Sequence, residues 1–185
     1  MSTTITTDSH TWSIDIAHSN VGFTARHMMI AKVRGKFTRL RAELQLTDAS
    51  PVPLSIAAEI EAASVDTRHE QRDAHLRSAD FFDIENYPRL TFKSTSISKV
   101  NDATFDVTGD LTIRSTTKSV TFPVEVEGEA TDPQGGRRIG YSARLRIDRR
   151  DFGLTFNQAL ETGGVLIGNE VDIELDLEAV ASEAS

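Results

Sequence analysis

The sequence contains no cysteine, which excludes disulfides and thiolate chemistry but fits any compartment. It also contains no run approaching the roughly 18 apolar residues that a membrane-spanning helix requires, so we expect no integral membrane span. Lys and Arg are absent from residues 1–11, which are rich in Ser and Thr and therefore do not resemble a secretory signal. From the missing signal we expect a cytoplasmic location.

Basic residues are in deficit, because 20 Lys and Arg stand against 28 Asp and Glu and give a net charge of -8. Such a charge repels phosphate backbones, and no basic stretch interleaved with aromatic residues offsets it, so we expect no nucleic-acid partner. An anionic membrane surface is disfavoured for the same reason. A local basic group, formed by Arg34, Lys36, Arg39 and Arg41, could still touch such a surface, although solvated strand faces usually carry such charges.

What the sequence does have is strict alternation of apolar and polar residues, which is typical of strands with one buried face. The clearest example is 171–179, where every second residue is apolar and the four residues between them are acidic. The same pattern predicts seven further strands, at 21–27, 40–46, 54–62, 90–96, 105–113, 120–126 and 139–147. Trp12, Ile14 and Ile16 predict either a ninth strand or the first half of a bent one.

Polar turn residues join neighbouring strands and predict antiparallel hairpins. Residues 115–118 connect the strand at 105–113 to the next one, and 132–136, with one Pro and two Gly, connect 120–126 to 139–147. We therefore expect an all-β antiparallel domain at 11–180, preceded by a disordered segment at 1–10 and followed by a frayed tail at 181–185.

The apolar face of these strands must be buried, and almost no helix is available to cover it. The sheet can cover itself as a sandwich or as a closed barrel, and eight strands joined by short turns favour an eight-stranded barrel, which has no exposed edges. Small residues stand at positions on the apolar face and predict a hollow interior, although a flattened sandwich core remains an alternative. They are Ala42, Ala58, Ala62, Gly109, Ala143 and Ala179.

One segment, 67–79, departs from the period of two and is rich in helix-forming residues. It predicts a short polar helix near one end of the barrel, capped by Asp66 or Thr67, with Glu70 completing a capping box. Asp73 and Arg77 stand four residues apart with the acid first, which predicts a favourable ion pair on the helix surface.

The histidines do not form a metal site. His69 and His75 lie six residues apart, about 240° around the predicted helix, and point in different directions, so we predict no metal ligands. Asp15, His18 and Ser19 lack a recognisable nucleophile motif and are interpreted as hydrogen-bonding residues of a turn. His27 shares its parity with apolar residues, and is either a core histidine with satisfied hydrogen bonds or a polar anchor for a ligand inside the barrel.

The long connection before the last strand contains glycines and two aromatic residues. Gly163, Gly164 and Gly168 match no phosphate-binding motif and precede a strand, so they predict a flexible loop. Phe152 and Phe156 could gate the mouth of a barrel, and they could equally plug its end.

A set of short motifs also recurs in a fixed order along nearly the whole chain. The motifs are Trp12, Ile14 and Asp15; His18, Ser19, Val21, Phe23 and His27; Gly35 and Phe37; 64–67; Arg72, Asp73, His75 and Leu76; Asp80, Phe81 and Phe82; Tyr87, Pro88, Leu90, Thr91 and Phe92; 109–114 with Thr117 and Lys118; and Arg149, Asp151, Phe152 and Gly153. In this order they resemble the YceI-like family of polyisoprenoid-binding proteins. The resemblance implies an eight-stranded, lipocalin-like antiparallel barrel with a helix at one end, and a lumen for the isoprenoid tail of a quinone or polyprenyl lipid.

The resemblance has two departures. Many relatives are exported to the periplasm, whereas we expect this chain in the cytoplasm, so the cellular role need not transfer. Ser115 stands where the family usually has glycine in the turn that follows Arg114, which raises a question about the geometry of that turn. Some relatives are dimers, so a homodimer is possible here.

These observations predict that the protein binds, stores or transports a long apolar lipid, most simply an isoprenoid quinone or polyprenyl lipid, and uses no cofactor. Two alternatives are an enzyme with His27, Tyr141 or Asp15 as proton-transfer groups, and a stress-related interaction module with a filled barrel. The residues predicted to face a ligand in the lumen, none of them catalytic, are Phe23, Ala25, His27, Phe37, Leu40, Ala42, Leu44, Ile56, Ala58, Ile60, Phe82, Phe92, Phe105, Val107, Leu111, Phe122, Val124, Tyr141, Ala143, Leu145, Phe152, Phe156, Ile173 and Leu175.

Overall fold

The alternating segments form antiparallel strands in the computed structural model, which describes residues 8–182. Within this range the strands are β1 (Ser9–Ile14), β2 (Asn20–His27), β3 (Ala31–Phe37), β4 (Leu40–Thr47), β5 (Ser50–Glu61), β6 (Val65–Asp66), β7 (Arg89–Lys99), β8 (Thr104–Ile113), β9 (Thr116–Thr131), β10 (Arg137–Asp148) and β11 (Ile167–Ala181). One α-helix, α1 (Glu70–Arg77), and three 3-10 helices (Ile16–His18, Ala62–Ser64 and Arg149–Phe152) complete the described elements. None of these helices is long and apolar enough to cross a membrane.

The strands close into a barrel because β1 pairs with both β4 and β11. β1 and β2 form one bent strand around Ile16–His18, since β11 pairs first with β2 and then with β1. β3 with β4, and β5 with β6, likewise occupy one position each, so the eleven segments form eight positions. The prediction of an eight-stranded antiparallel barrel is confirmed, and the sandwich alternative is wrong.

Two segments differ from the sequence analysis, each for its own reason. Ile16 leaves the strand and is 44% exposed, because the 3-10 turn at the bend redirects it. β3 was not predicted, since its apolar positions include Gly35, which packs against the ring of Phe23 and leaves no room for a side chain. Lys32, Arg34 and Lys36 lie on the other face of β3 and are exposed. For Arg34 and Lys36 this agrees with the interpretation that they belong to a solvated strand face.

β5 contains an irregularity that the alternating pattern did not predict. Leu54 was placed on the inner face, but it is 60% exposed, and Pro53 is buried in its place. The pairing with β4 shifts register between Gln45 and Thr47, which reverses the parity of β5 before Ile56.

Helix α1 begins later than predicted. The side chain of His69, and not that of Asp66 or Thr67, caps it by accepting a hydrogen bond from the backbone N–H of Arg72 at 3.2 Å. The predicted pair of Asp73 and Arg77 is also wrong. Asp73 is buried and accepts hydrogen bonds from the backbone and hydroxyl of Thr67, while Arg77 donates to the carbonyls of Ala63 and Val65.

The ends of the domain differ slightly from the predicted boundaries. β1 starts at Ser9, and Ala181 still pairs with Trp12, so both fall within the barrel. The rest of the predicted disordered segment, 1–7, and of the predicted frayed tail, 183–185, lies outside the described residues.

The two predicted hairpins are present. β8 and β9 are joined by a two-residue turn in which Arg114 takes the positive φ, at 56°, so Ser115 needs no glycine-like conformation. β9 and β10 pair from Thr131 with Arg137 as far as Val124 with Ala143. Beyond that point, residues 116–123 of β9 and 144–148 of β10 are not paired with each other. This unpaired stretch of the wall is called the seam below.

Gly109 provides a test of how tightly β8 packs inside the barrel. A Cβ atom added there would lie 2.4 Å from the ring of Phe92 and 2.6 Å from the carbonyl oxygen of Lys93. We therefore expect Gly109→Ala to lower the free energy of unfolding by roughly 1 to 3 kcal/mol in urea denaturation. Gly140→Ala, whose nearest added contact is 3.3 Å, is the control and should cost less. Equal losses would contradict the packing described here.

Candidate functional site

The interior of the barrel contains a cavity of about 280 Å³, close to the lower end of the roughly 300 to 1,000 Å³ typical of small-molecule sites. Its wall is almost entirely apolar, because the inner faces of the strands supply aliphatic and aromatic side chains. Many of these inward residues, including Phe23, Phe92 and Leu145, are only partly buried, since one side of each faces the cavity and not another side chain.

Twenty of the 24 residues predicted to face the lumen line this cavity. They are Phe23, Ala25, Phe37, Leu40, Ala42, Leu44, Ile56, Ala58, Ile60, Phe82, Phe92, Phe105, Leu111, Phe122, Val124, Tyr141, Ala143, Leu145, Ile173 and Leu175. The structure therefore brings the inner faces of all eight predicted strands to one continuous apolar surface.

The other four predicted residues lie elsewhere. His27 is exposed at the end of β2, so it is neither a core histidine nor a polar anchor inside the barrel. Val107 is fully buried in the packed core, and Phe152 is buried beneath the barrel end at 2% exposure. Phe156 packs against the rings of His75 and Phe81, with centroids 4.8 and 5.4 Å away, and so belongs to the plug that the sequence analysis considered.

Sixteen further residues line the cavity and were not among the predicted ones: Ile14, Val21, Gly22, Pro53, Leu76, Phe81, Leu90, Ile113, Val120, Ser142, Ile147, Arg149, Leu154, Ile167, Val171 and Leu177. Most of those on strands share the parity of the predicted set, so the alternation contained their signal. Leu76, Phe81, Arg149 and Leu154 come from the helix and loops, where no period marks the inward face.

The small residues explain the hollow only in part. Ala42 and Ala58 face each other across β4 and β5, and with Ala143 they line the cavity. Ala62 and Ala179 are instead fully buried in packed regions, and the ring of Phe92 occupies the space beside Gly109. For Ala62, Gly109 and Ala179, the prediction that a small residue marks empty space is therefore wrong, because small residues can also allow close packing.

One end of the cavity is covered by α1, the loop at 78–88 and the loop at 153–166, which together are called the cap. Leu76, Phe81, Phe82 and Leu154 contribute to the cavity wall from the cap. Below them Ala62, Leu90 and Phe152 form a second buried cluster with Ile113. This cluster joins the cap to the strands, since Leu90 and Ile113 belong to strands and Phe37 and Ile60 pack against both this cluster and the main core.

The opposite end is closed by packed side chains. Trp12, Leu46, Ile139 and Ala179 are each at most 3% exposed and belong to the main core. The guanidinium of Arg137 lies 5.4 Å from the Trp12 ring and covers it from outside. Since Trp12 is not part of the cavity wall, its fluorescence is a poor reporter of a ligand in the barrel.

Arg149 is the charged residue among the lining side chains, and it is only 6% exposed. Its guanidinium donates hydrogen bonds to the backbone carbonyls of Leu154 at 2.7 Å, Phe156 at 2.8 Å and Gly168 at 2.9 Å. Burial lowers the pKa of Arg149 from its usual value, and the nearby Asp148 opposes this change. Arg149 therefore ties the loop of the cap to the start of β11 from inside.

Tyr141 lies at the closed end, where its ring forms part of the cavity wall. Its hydroxyl donates a hydrogen bond to the carbonyl of Pro51 at 2.6 Å. Burial raises the pKa of Tyr141 above its usual value, so the hydroxyl stays protonated and engaged at neutral pH.

A family model for the YceI-like domain matches residues 12–179, which is nearly the whole described chain. This protein belongs to the YceI-like family. It is 38% identical over 175 residues to a UPF0312 protein of Staphylococcus aureus (strain MSSA476), covering 93% of this chain and 98% of that protein. A UPF0312 protein of Staphylococcus epidermidis is 37% identical over 168 residues, covering 90% and 95%.

Three solved structures share the barrel. BcnA of Burkholderia cenocepacia superposes with a TM-score of 0.76 at 26% identity, covering 89% of this chain and 98% of that one. The YCEI protein of Campylobacter jejuni gives 0.75 at 29% identity, covering 85% and 90%. A polyisoprenoid binding domain from Saccharophagus degradans gives 0.70 over 92% and 98%, and at 16% identity it shows the fold alone.

Three of the motif residues of this YceI-like domain meet outside the barrel, at the bend between β1 and β2. Asp15 caps the 3-10 turn through Ala17 N–H, its carboxylate lies 3.0 Å from His18 Nδ1, and the Ser19 hydroxyl accepts a hydrogen bond from Glu178 N–H. The interpretation as hydrogen-bonding turn residues is confirmed. Arg138 also donates to the carboxylates of Asp15 and Glu178.

This cluster brings one ligand atom each from Asp15, His18 and Glu178 within 4.8 Å of one another, which sequence spacing did not reveal because Glu178 lies on the last strand. A cation is already present there, since the guanidinium of Arg138 binds both carboxylates. The cluster therefore fits a structural ion network that fixes the bend, and it carries no argument for a metal.

The network predicts a pH dependence. Hydrogen bonds from His18 and Arg138 lower the pKa of Asp15 to about 2, and Asp15 raises the pKa of His18 above 6.5. The stabilisation from Asp15 is lost as pH falls from about 4 towards 2, while that from His18 is complete below 6.5 and is lost as pH rises through its raised pKa. We expect an NMR titration of the His18 ring to give a pKa above 6.5, and Asp15→Asn to lower this pKa, with Glu178 as the remaining acidic neighbour. A value at or below 6.5 in the unaltered protein would contradict the network.

Proposed function

We propose that this YceI-like protein binds a long-chain apolar lipid in the barrel, most simply an isoprenoid quinone or polyprenyl lipid, and stores or transports it. The observation that carries the proposal is the apolar cavity of about 280 Å³ that lies between the cap and the packed end. An apolar cavity of this kind excludes polar ligands, because their lost hydration would not be replaced by hydrogen bonds.

The physical chemistry of burial supports a chain-like ligand. Each buried CH₂ group contributes about 0.8 kcal/mol, so a few isoprene units are enough for tight binding. The wall discriminates poorly between apolar chains, since one methylene more or less changes affinity by only roughly 1 to 3 kcal/mol. The solved Saccharophagus degradans domain is described as polyisoprenoid binding, which agrees with this ligand class without identifying the ligand here.

We propose binding without chemistry, because the three residues considered for proton transfer are poorly placed for it. His27 is exposed outside the cavity, and Asp15 belongs to the ion network at the bend. Tyr141 does line the cavity, but its hydroxyl is bound to Pro51 and its pKa is raised by burial. The filled interaction module is also disfavoured, since the barrel has a cavity.

The direct test is to purify the protein without detergent, extract it with organic solvent and identify the released lipid by mass spectrometry. We expect a stoichiometric apolar lipid, and restored binding when an isoprenoid quinone is added to the extracted and refolded protein. If extraction releases no lipid and calorimetry detects no binding of quinones or polyprenyl lipids, the proposal is wrong. The cytoplasmic location and the homodimer stay predictions, which cell fractionation and analytical ultracentrifugation test.

A further inference from the structure

The turn between β2 and β3 exposes three large apolar side chains to solvent. Met28, Met29 and Ile30, called the apolar tip below, are 41%, 54% and 81% exposed. They account for half of the six exposed large hydrophobic residues found within 8–182, and they are adjacent in sequence. Contiguous exposed apolar groups of this kind mark interaction sites, whereas single ones are ordinary.

The backbone of the turn makes this choice of residues unfavourable for folding alone. Met28 and Met29 both have positive φ, at 52° and 62°, a conformation that Asn and Gly adopt more readily. Polar residues would therefore satisfy both the backbone and the exposure better than methionine does. The flexible thioether side chains are instead well suited to an irregular apolar surface.

The strands that carry the tip are basic in an otherwise acidic protein. No Asp or Glu occurs between Asp15 and Glu43. Four exposed basic residues flank the tip, Arg26 on β2 before it and Lys32, Arg34 and Lys36 on β3 after it, and they are called the basic collar. Arg26 and Lys32 stand directly opposite each other across the hairpin, and like charges in that position repel.

Asp66 on β6 stands opposite Lys36, while the acids on β11 that lie nearest to the rest of the basic collar already have partners. Asp172 on β11 binds Arg146 at 2.6 Å, Glu170 lies 3.3 Å from the same guanidinium, and Glu174 lies 3.7 Å from Arg144. Arg26 and Lys32 act on Asp172 only through longer-range charge interactions. The hairpin thus presents surplus positive charge around an apolar tip.

We propose that the β2–β3 hairpin docks tip-first on an anionic phospholipid bilayer, with the apolar tip among the acyl chains and the basic collar against lipid phosphates. Apolar residues flanked by Lys and Arg are the arrangement that binds at such an interface, because the long basic side chains can reach the headgroups while the apolar ones leave water.

The position of the hairpin relates docking to the cavity, and this part of the inference rests on the proposed lipid-binding function. Met28 N–H donates to the carbonyl of Leu166 at 2.8 Å, and His27 pairs with Ile167, which lines the cavity. Met29 also lies beside Gly164 in the loop of the cap. A docked tip would therefore bring the cap end of the cavity to the membrane that contains apolar lipids.

The test is co-sedimentation with vesicles of phosphatidylcholine mixed with phosphatidylglycerol, compared with pure phosphatidylcholine vesicles. We expect binding to the mixed vesicles that weakens with added salt. Met29→Ser with Ile30→Ser should weaken it at least about tenfold, since two exposed apolar side chains leave the interface. Lys32→Gln with Arg34→Gln should weaken it roughly fivefold for each charge removed.

Matched control variants come from other parts of the same barrel. Leu54→Ser with Val100→Ser removes two apolar side chains that are 60% and 58% exposed, and Lys93→Gln with Lys99→Gln removes two exposed charges from β7. Both pairs should bind vesicles like the unaltered protein. In addition, Ile30→Trp should give a fluorescence blue shift with mixed vesicles and quenching by brominated acyl chains, while the buried Trp12 stays silent.

Several results would overturn the docking proposal. The first is that the protein does not bind the mixed vesicles, and the second is that the control variants lose as much vesicle binding as the tip and collar variants. The third is that the tip variants bind vesicles normally but no longer sediment as a dimer, which would make the tip a contact between two copies. The tip variants should keep their extractable lipid, because their side chains are outside the cavity. Lipid retained without vesicle binding refutes docking alone, and vesicle binding by a protein that holds no lipid refutes the cavity function alone.

Discussion

Replacing Ala58 by Phe is expected to weaken lipid binding by about a hundredfold while the barrel still folds. Ala58 lies on the inner face of β5, between Ala42 on one neighbouring strand and Phe92 on the other, and it lines the cavity. A phenyl ring there would occupy space that ligand carbons need. Displacing about four CH₂ groups at about 0.8 kcal/mol each costs about 3 kcal/mol of binding energy, which corresponds to that factor.

The adjacent residue supplies a matched control, because Ala57 lies on the outer face of the same strand and is exposed. Ala57→Phe makes the same chemical change and should leave the affinity for an isoprenoid quinone unchanged in calorimetric titration. Circular dichroism should show the same strand content in both variants. If Ala58→Phe binds the quinone as tightly as Ala57→Phe does, the ligand does not occupy this part of the barrel.

The second large effect is expected from Arg149→Met, which should lower the free energy of unfolding by about 2 to 4 kcal/mol. Hydrogen bonds from a charged donor contribute roughly 1.5 to 3 kcal/mol each, and the variant leaves the carbonyls of Leu154, Phe156 and Gly168 without this donor. The loss is smaller than the sum of three such bonds, since burying the guanidinium is itself unfavourable. Arg149→Lys should recover little, because a single ammonium cannot reach carbonyls arranged around a planar guanidinium.

Arg150→Met is the control for this prediction. Arg150 is the next residue, but it is exposed and binds Asp148 at the surface, so its loss should lower the free energy of unfolding much less than the loss of Arg149 does. Urea denaturation gives the global effect, and hydrogen exchange should show faster opening of 154–168 in Arg149→Met. Equal stability of the two variants would mean that Arg149 does not hold the cap in place.

The alternation of apolar and polar residues was sufficient to predict the barrel and most of its inner wall. The period of two assigns every strand residue to a face, so residues such as Phe105, Leu145 and Ile173 could be placed in the lumen without coordinates. Closure of the sheet into a barrel could be predicted because so little helix is available to cover its apolar face. The same logic misplaced Leu54, since a register shift in β5 reverses parity without leaving a signal in the sequence.

The cap and the β2–β3 hairpin could not be predicted in this way. Arg149 reaches backbone carbonyls up to 19 residues away, and main-chain carbonyls are the same for every residue type, so no pattern reveals such partners. His27 keeps the parity of an inward residue, but it is exposed at the end of β2, where the pairing with β11 shifts register, and parity alone does not reveal such a shift. Gly109 looked like unoccupied space, whereas Phe92 fills it from the neighbouring strand.

The seam between β9 and β10 has a mechanical consequence for the barrel as a container. In a fully laddered cylinder, the girth can increase only if backbone hydrogen bonds break. Here the ladder ends at Val124 and Ala143, at the place where Pro123 has no N–H to donate. Ser142, which the alternation would place outside, lines the cavity at this end of the ladder. Along the seam β9 and β10 can therefore separate without breaking a ladder pair between them, while the pairing from Thr131 with Arg137 to Val124 with Ala143 keeps the barrel closed.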